Sequence, residues 1–188
     1  PGHTEILTRD PKHFGKLLAV VKAWTAQNFR CDIILYSDLD VVFTNFNLDL
    51  REFFKSREVQ LVFSRQPISG VNAGVYALRT TDYVAKFLEE WWTKGTLRNK
   101  YPHGDQGALY DVLLKRATSL KPGLHYNGSC YADAKYQSHW GKQTGCFNEW
   151  MLKLGHIYPN WDNAWRGEHS GIKMTRNPKL QGFPYEKY

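Results

Sequence analysis

The sequence has no long apolar run, no block of like charges and no internal repeat. None of its 188 residues lies in an apolar stretch near the roughly 20 residues that a transmembrane helix needs, so we expect membrane attachment only through a segment outside this chain. Lys and Arg are scattered singly from Arg9 to Lys187, so the net charge of +7 forms no basic stripe of the kind that binds nucleic acid. We therefore expect one domain over residues 1–188 and no nucleic-acid partner.

Cysteine is scarce, and the count of three is odd. Cys31 stands at the head of an apolar segment, which predicts a buried thiol. Cys130 and Cys146 bracket a loop and could form a disulfide. Asn127-Gly128-Ser129, directly before Cys130, matches the acceptor pattern for N-glycosylation, which favours an oxidising, secretory compartment.

Apolar periodicity predicts strands that alternate with helices, and hence an α/β domain with a mostly parallel sheet. The predicted helices cover residues 10–29, 50–55, 83–92 and 105–116, and the predicted strands cover residues 32–36, 59–63 and 72–78. Residues 41–43 either continue the first strand or follow it. Beyond Lys121, Gly, Pro, Asn and aromatic residues replace the periodic pattern, which predicts short strands and long loops.

Two carboxylates interrupt the most apolar part of the chain. Asp38 and Asp40 follow one apolar run and precede another, where open α/β sheets place their ligands. Burying two adjacent anions costs several kcal/mol unless a cation compensates them. Oxygen ligands suit Mg²⁺ or Mn²⁺, so the pair predicts a metal site, although Asp can also simply cap a turn.

The segment Tyr36 to Phe43, with the sequence YSDLDVVF, resembles the hydrophobic-DxD-hydrophobic motif of glycosyltransferases with the GT-A fold. Asn72 to Val75, NAGV, is similar to the N-A/S-G strand of the retaining glycogenin-like and related families, and Asp105-Gln106 in HGDQGAL resembles their DQ helix start. The three motifs also follow the family order. The resemblance implies a GT-A-like, Rossmann-related mixed sheet flanked by helices, with an irregular, aromatic-rich C-terminal part.

The resemblance also implies roles for these residues. In such families the carboxylates matching Asp38 and Asp40 bind Mn²⁺, or Mg²⁺, which holds the diphosphate of a nucleotide-diphospho-sugar donor. Asn72 offers a donor and an acceptor to sugar hydroxyls, and Gly74 lets the backbone approach the ligand closely. Asp105 and Gln106 would contact the transferred sugar near its reacting carbon, although both also suit a helix start.

A third metal ligand is expected from a His late in the chain, and His139 is one of three candidates. His169 in EHSGIK keeps the family order of His, Gly and Lys but with shorter spacing and no following Trp. His156 in LGHIYP follows a Gly at the start of an apolar stretch and stands equally well as the ligand. Lys173 would neutralise the charge on the departing diphosphate.

These expectations amount to metal-dependent transfer of a sugar, with retention, to a glycan, a protein or a small molecule, in the Golgi lumen or alternatively the cytoplasm. Two other readings stay open. One is a catalytically inactive carbohydrate-binding or scaffold domain derived from a transferase. The other is a metal-dependent phosphohydrolase, against which Val41 and Val42 count, because Gly and Thr usually follow the aspartates there. Only 37 residues precede Asp38, whereas the resemblance implies more N-terminal nucleotide-binding elements, so either those elements are missing or the nucleotide is held differently.

Overall fold

Four α-helices, one short 3-10 helix and six strands lie among the residues that a computed structural model of the protein describes. Those residues are 14–26, 31–39, 41–43, 47, 49–55, 59–66, 70–97, 104–120, 122–128, 130, 140–154, 161–166 and 172–174. The helices are α1 (Gly15–Thr25), the 3-10 helix (Leu50–Phe54), α2 (Asp82–Leu97), α3 (Gly104–Ser119) and α4 (Trp140–Lys153). The strands are β1 (Ile33–Ser37), β2 (Val41–Phe43), β3 (Leu61–Gln66), β4 (Gly70–Arg79), β5 (Trp161–Arg166) and β6 (Ile172–Met174).

Four of the strands form a mixed sheet in the order β1, β4, β3, β5. Strand β4 runs antiparallel to both of its neighbours, whereas β5 runs parallel to β3. The α/β class is thus confirmed, but the expectation of mostly parallel pairing is wrong. Only residues 67–69 separate β3 from β4, and a connection this short joins antiparallel strands. Because β4 is inserted in reverse, β1, β3 and β5 still point the same way.

The segment after the first strand forms an element of its own. Strand β2 pairs antiparallel with β6 in a separate two-stranded sheet, with Val41 opposite Met174 and Phe43 opposite Ile172. A strand that follows β1 was one of the two options that the sequence allowed. The pairing brings a segment from near the C-terminus beside the residues that directly follow the DxD motif.

Helices α2 and α3 pack their predicted apolar faces into the core. The helical spacing of the sequence predicts one apolar face for each helix, and all of its residues are buried, namely Val84, Phe87, Leu88 and Trp91 of α2 and Leu109, Val112 and Leu113 of α3. Helix α3 is buried on nearly all sides, because α2, α4 and β4 all contact it. Within the described ranges, no helix combines the length and the hydrophobicity needed to cross a membrane.

Helix α1 is shorter than predicted in the described part of the chain, and its buried face differs. The helical spacing of the sequence predicts an apolar face that includes Phe14, Leu17, Leu18, Val21 and Trp24. Phe14, Leu17 and Val20 are buried, whereas Val21 is 42% exposed. The predicted start at Asp10 lies outside the described residues. The helix contacts β1, so its buried face rests on the sheet.

Helix α4 was not predicted, because a loop was expected there. Gly141 and Gly145 lower the helix propensity of the segment, and its polar residues hide the period. The short strands β5 and β6 do match the expectation for the region after Lys121. Cys146 on α4 forms a disulfide with Cys130, with an S–S distance of 2.04 Å, so the proposed pairing is confirmed.

Cys31 is exposed, and the prediction of a buried thiol is wrong. The residue lies before β1, which begins at Ile33, and so does not share the burial of the strand. Its carbonyl oxygen accepts a hydrogen bond from Thr80 Oγ1 at 2.8 Å. The contact ties the start of β1 to the end of β4 and leaves the thiol outside the core.

Helix α4 supplies a test of this packing. Phe147 is 2% exposed and stacks on Tyr110 with ring centroids 4.3 Å apart, whereas Leu152 on the same helix is 67% exposed. We expect Phe147→Ala to lower the free energy of unfolding by about 3 to 5 kcal/mol, because it leaves a cavity in the core. Leu152→Ala, the matched control, should change it by less than about 0.5 kcal/mol. Urea denaturation measures both, and equal losses would contradict the placement of α4.

Candidate functional site

The first motif lies where β1 ends. Asp38 directly follows the last residue of β1, and its backbone N–H donates to Gly74 O at 2.7 Å. Tyr36 OH donates to Asp38 Oδ1 at 2.8 Å, which orients the carboxylate. The Asp38 side chain is 32% exposed, so it borders solvent and is accessible to a ligand. The DxD motif therefore begins in direct contact with the second motif.

The second motif forms a bulge in β4. Tyr76 pairs with Phe63 of β3, but the next β3 residue, Ser64, pairs with Asn72, so Ala73 to Val75 have no partner in β3. Asn72 Oδ1 accepts a hydrogen bond from Gly74 N at 2.6 Å, which holds the bulged turn together. Bulges re-aim side chains and are frequent beside active sites. Because β4 is reversed, this bulge lies at the edge of the sheet where β1 ends.

The third motif begins helix α3 and is attached to that bulge. Gln106 Oε1 accepts from Ala73 N at 2.7 Å, and Gln106 Nε2 donates to Val71 O at 2.8 Å. The side-chain amide thus replaces the strand partner that Ala73 lacks. Gln106 holds the helix start against β4, and its predicted contact with a sugar stays a prediction. Asp105 is fixed through its backbone, whose carbonyl accepts from Trp91 Nε1 at 2.7 Å.

Lys16 joins the first and third motifs, and it is not among the site residues predicted from the sequence. Its Nζ lies 2.8 Å from Asp105 Oδ2 and 3.4 Å from Asp38 Oδ1, and it donates to Ala73 O at 3.3 Å. Its side chain is only 13% exposed. Lys16 is in the first turn of α1, the helix that precedes β1. A helix that packs antiparallel to the next strand places its first turn at that strand's carboxyl end, and this topological signal could have identified the residue.

Asp105 is the most strongly buried carboxylate of the cluster. Burial raises its pKa above the ordinary 3.8, Lys16 opposes the rise, and the nearby charge of Asp38 adds to it. The ammonium group of Lys16 is therefore the group that makes two neighbouring carboxylates compatible with a largely buried position.

Two stacked tyrosines line the same region. The Tyr36 and Tyr76 rings lie 5.0 Å apart, and the ammonium of Lys16 lies 5.6 Å from the Tyr36 ring centroid. Tyr76 OH is buried and makes no hydrogen bond to any of the described residues. Burial raises the pKa of Tyr76 well above 10.0, and the neighbouring Tyr36 phenol and the carboxylates of Asp105 and Asp38 raise it further. Tyr76 is thus a neutral phenol facing an acidic cluster.

The remaining predicted residues are only partly described. Lys173 lies in β6, and its Cα pairs with that of Val42, two residues after Asp40 in the sequence. Asp40, His139, His156 and His169 lie outside the described residues. The backbone of Lys173 therefore lies beside the segment that directly follows the DxD motif. The choice of His ligand stays a prediction.

The chemistry of the cluster suits a cation. Among the described residues, no three His, Cys, Asp or Glu side chains are grouped as metal ligands. Lys16 Nζ nevertheless contacts three oxygen atoms, from Asp38, Asp105 and Ala73, and so acts as a stand-in cation. Carboxylate oxygens are also what Mg²⁺ and Mn²⁺ prefer, so the partly exposed Asp38 carboxylate is chemically suited to a divalent ion.

Comparison with known proteins does not identify a family. No protein-family model matches the chain, and no curated protein or solved structure is significantly similar to it.

The bridge made by Lys16 can be tested by its removal. Lys16→Met leaves Asp105 buried without its cation, so we expect the free energy of unfolding at neutral pH to fall by about 3 kcal/mol. Lys22→Met, an exposed site on the same helix, is the matched control and should change it by less than about 0.5 kcal/mol. Denaturant titrations of both variants measure the difference, and similar values would contradict the bridge.

Burial of Asp105 predicts a specific pH dependence. Its raised pKa means that the folded protein keeps this proton at a higher pH than the unfolded chain does. The free energy of unfolding therefore falls as the pH rises from about 4 through the raised pKa. Asp105→Asn lacks this proton, so its stability relative to wild type should improve as the pH rises.

Urea titrations between about pH 4 and 7 measure this trend. Asp82→Asn, which removes an exposed carboxylate at the start of α2, is the control for a general change in charge. A stability difference between Asp105→Asn and wild type that stays constant with pH would count against the raised pKa.

Proposed function

We propose that the protein transfers a sugar from a nucleotide-diphospho-sugar donor to an acceptor, with a divalent cation and with retention of configuration. One observation carries the proposal. Three motifs that resemble those of GT-A glycosyltransferases, far apart in the sequence, are joined by direct contacts. Asp38 bonds to Gly74 through the backbone, Gln106 bonds to Ala73, and Lys16 bridges Asp38 and Asp105. A convergence of this kind supports a shared ligand site at one edge of the sheet.

Under this proposal, Asp38, Asp40 and either His156 or His169 hold Mn²⁺ or Mg²⁺. The bound ion would offset the diphosphate charge and act as a Lewis acid toward the leaving group. Lys173, whose backbone pairs beside the DxD motif, adds a second positive charge for the same phosphates. The acceptor is a glycan, a protein or a small molecule.

The other residues of the cluster position the donor sugar. Asn72 is half-buried at the bulge and offers its amide to sugar hydroxyls, while the backbone of Gly74 forms the wall of the site. Lys16 and Tyr36 keep the Asp38 carboxylate oriented. Gln106 acts as a positioning residue, because both of its polar atoms bind the backbone of β4. Retention rests on the family resemblance.

A catalytically inactive, carbohydrate-binding domain is the second candidate, and one observation favours it. Lys16 already compensates Asp38 and Asp105, so the acidic cluster can exist without a metal. Aromatic side chains, which make up 15% of the sequence, suit sugar rings whether or not transfer follows. Such a domain would bind glycans without metal-dependent release of a nucleotide.

Substitution of Asp38 separates the two candidates. We expect the full chain to bind Mn²⁺ and to release nucleotide diphosphate from a nucleotide-sugar panel in a metal-dependent manner. Asp38→Asn should weaken Mn²⁺ binding and lower release by about 100-fold or more, because an oxygen ligand loses its charge. Asp32→Asn, an exposed site before the other end of β1, is the matched control and should behave as wild type.

Calorimetry with Mn²⁺ and detection of the released nucleotide are the two measurements, and circular dichroism checks the fold of each variant. Metal-independent glycan binding without turnover would favour the inactive domain. Release that is unaffected by Asp38→Asn would contradict the proposed role of the DxD motif.

A further inference from the structure

The Asn127-Gly128-Ser129 pattern falls in the connection between α3 and α4, where Asn127 and Gly128 belong to no helix or strand. It is the only Asn-X-Ser/Thr pattern in the sequence. Residues 124–127 form no helix or strand, and Asn127 is exposed. Gly128 has φ +82°, a left-handed conformation that glycine adopts without strain, so the chain turns sharply just after the Asn. An exposed acceptor Asn in an irregular turn is what modification of this side chain requires.

The neighbouring disulfide gives an independent indication of the compartment. Cys130 comes three residues after Asn127 and bonds to Cys146 of α4. Disulfides persist in oxidising environments such as the lumen of the secretory pathway, where N-glycosylation also takes place. The acceptor pattern at the exposed Asn127 and the disulfide of Cys130 therefore indicate the same compartment through two different chemistries.

The surroundings of Asn127 leave room for a sugar. A shallow hollow of about 180 Å³ is lined by Asn127, Tyr126, Lys94, Asp111 and Lys115, among others. Asp111 is 1% exposed and forms an ion pair of 2.7 Å with Lys94. The hollow thus combines an aromatic ring with charged groups, a lining that suits a sugar's apolar faces and hydroxyls.

We propose that Asn127 carries an N-linked glycan, whose first sugar lies beside the Lys94 and Asp111 ion pair. The co-reactant is a lipid-linked oligosaccharyl pyrophosphate. A bond forms between Asn127 Nδ2 and the anomeric carbon of the first sugar, and the bond from that carbon to the pyrophosphate oxygen breaks. The lipid pyrophosphate leaves with the electron pair, and Nδ2 gives one proton to a base of the transferring enzyme.

The glycan would not cover the candidate site. Gly128 packs over Asp111, which lies six residues along α3 from Asp105, or about 9 Å of helix rise. Six residues also rotate a helix by about 600°, which leaves the two aspartates about 120° apart around the helix axis and therefore on different sides. The modification is therefore independent of the proposed transferase activity, and either can fail without the other.

The protein isolated from its own source provides the first test. We expect the tryptic peptide that contains Asn127 to carry a glycan whose first residue is an N-acetylhexosamine in mass spectrometry. Treatment with a peptide N-glycosidase should remove the glycan and convert Asn127 to Asp. An unmodified peptide from the natural protein would overturn the proposal.

Variants of the full chain, produced through a eukaryotic secretory pathway, provide the second test. Asn127→Gln and Ser129→Ala should both lose the glycan completely, whereas Ser129→Thr keeps the acceptor hydroxyl and should keep the glycan. Asn148→Gln removes an Asn outside any sequon and should leave the mass of the glycan unchanged. A glycan that persists in Asn127→Gln would contradict the assignment. Nucleotide release, measured in parallel, reports on the candidate site separately.

Discussion

The candidate site depends on one ammonium group, that of Lys16. Two carboxylates lie close enough for a single Lys Nζ to contact both, at 2.8 and 3.4 Å, and one of them is largely buried. Neighbouring anions in a partly desolvated position repel each other strongly unless a cation lies between them. Lys16 reaches this point because α1 packs against the sheet through its buried residues Phe14, Leu17 and Val20. The packing of one helix therefore sets the electrostatics at the end of β1.

Backbone geometry provides the second constraint. Because β4 runs antiparallel to β1, the first half of β4 lies beside the end of β1. The bulge at Ala73 to Val75 interrupts the pairing of β4 with β3. A bulge frees backbone groups that must find new partners. Gln106 satisfies one of them, and Asp38 bonds to Gly74 on the other side. The same irregularity thus connects β4 both to the residue that follows β1 and to the start of α3.

Local sequence patterns predicted much of this arrangement, but they did not predict the contacts between elements that are far apart in the sequence. The apolar period located the inner faces of α2 and α3 correctly, because burial on one side imposes a 3.6-residue repeat. It failed for α4, where Gly141, Gly145 and polar residues break the repeat, although Phe147 is buried. The motifs around Asp38, Asn72 and Asp105 were found from residue type and order. Lys16 and the reversal of β4 were not, because each depends on how separate elements pack.

Charge balance links the stand-in cation to the proposed chemistry. The positive charge of Lys16 offsets the negative charge of only one of the two carboxylates that it contacts. Asp40, two residues after Asp38 in the sequence, adds another negative charge. On the proposed function, the net negative charge of this group would attract a divalent ion, and the bound ion would bring the group close to neutral. The diphosphate of a donor would then meet little repulsion and would add oxygen ligands to the ion, as is usual for Mg²⁺ bound with substrate phosphates. Metal and donor would then each bind better in the presence of the other, because coupling between two sites is reciprocal.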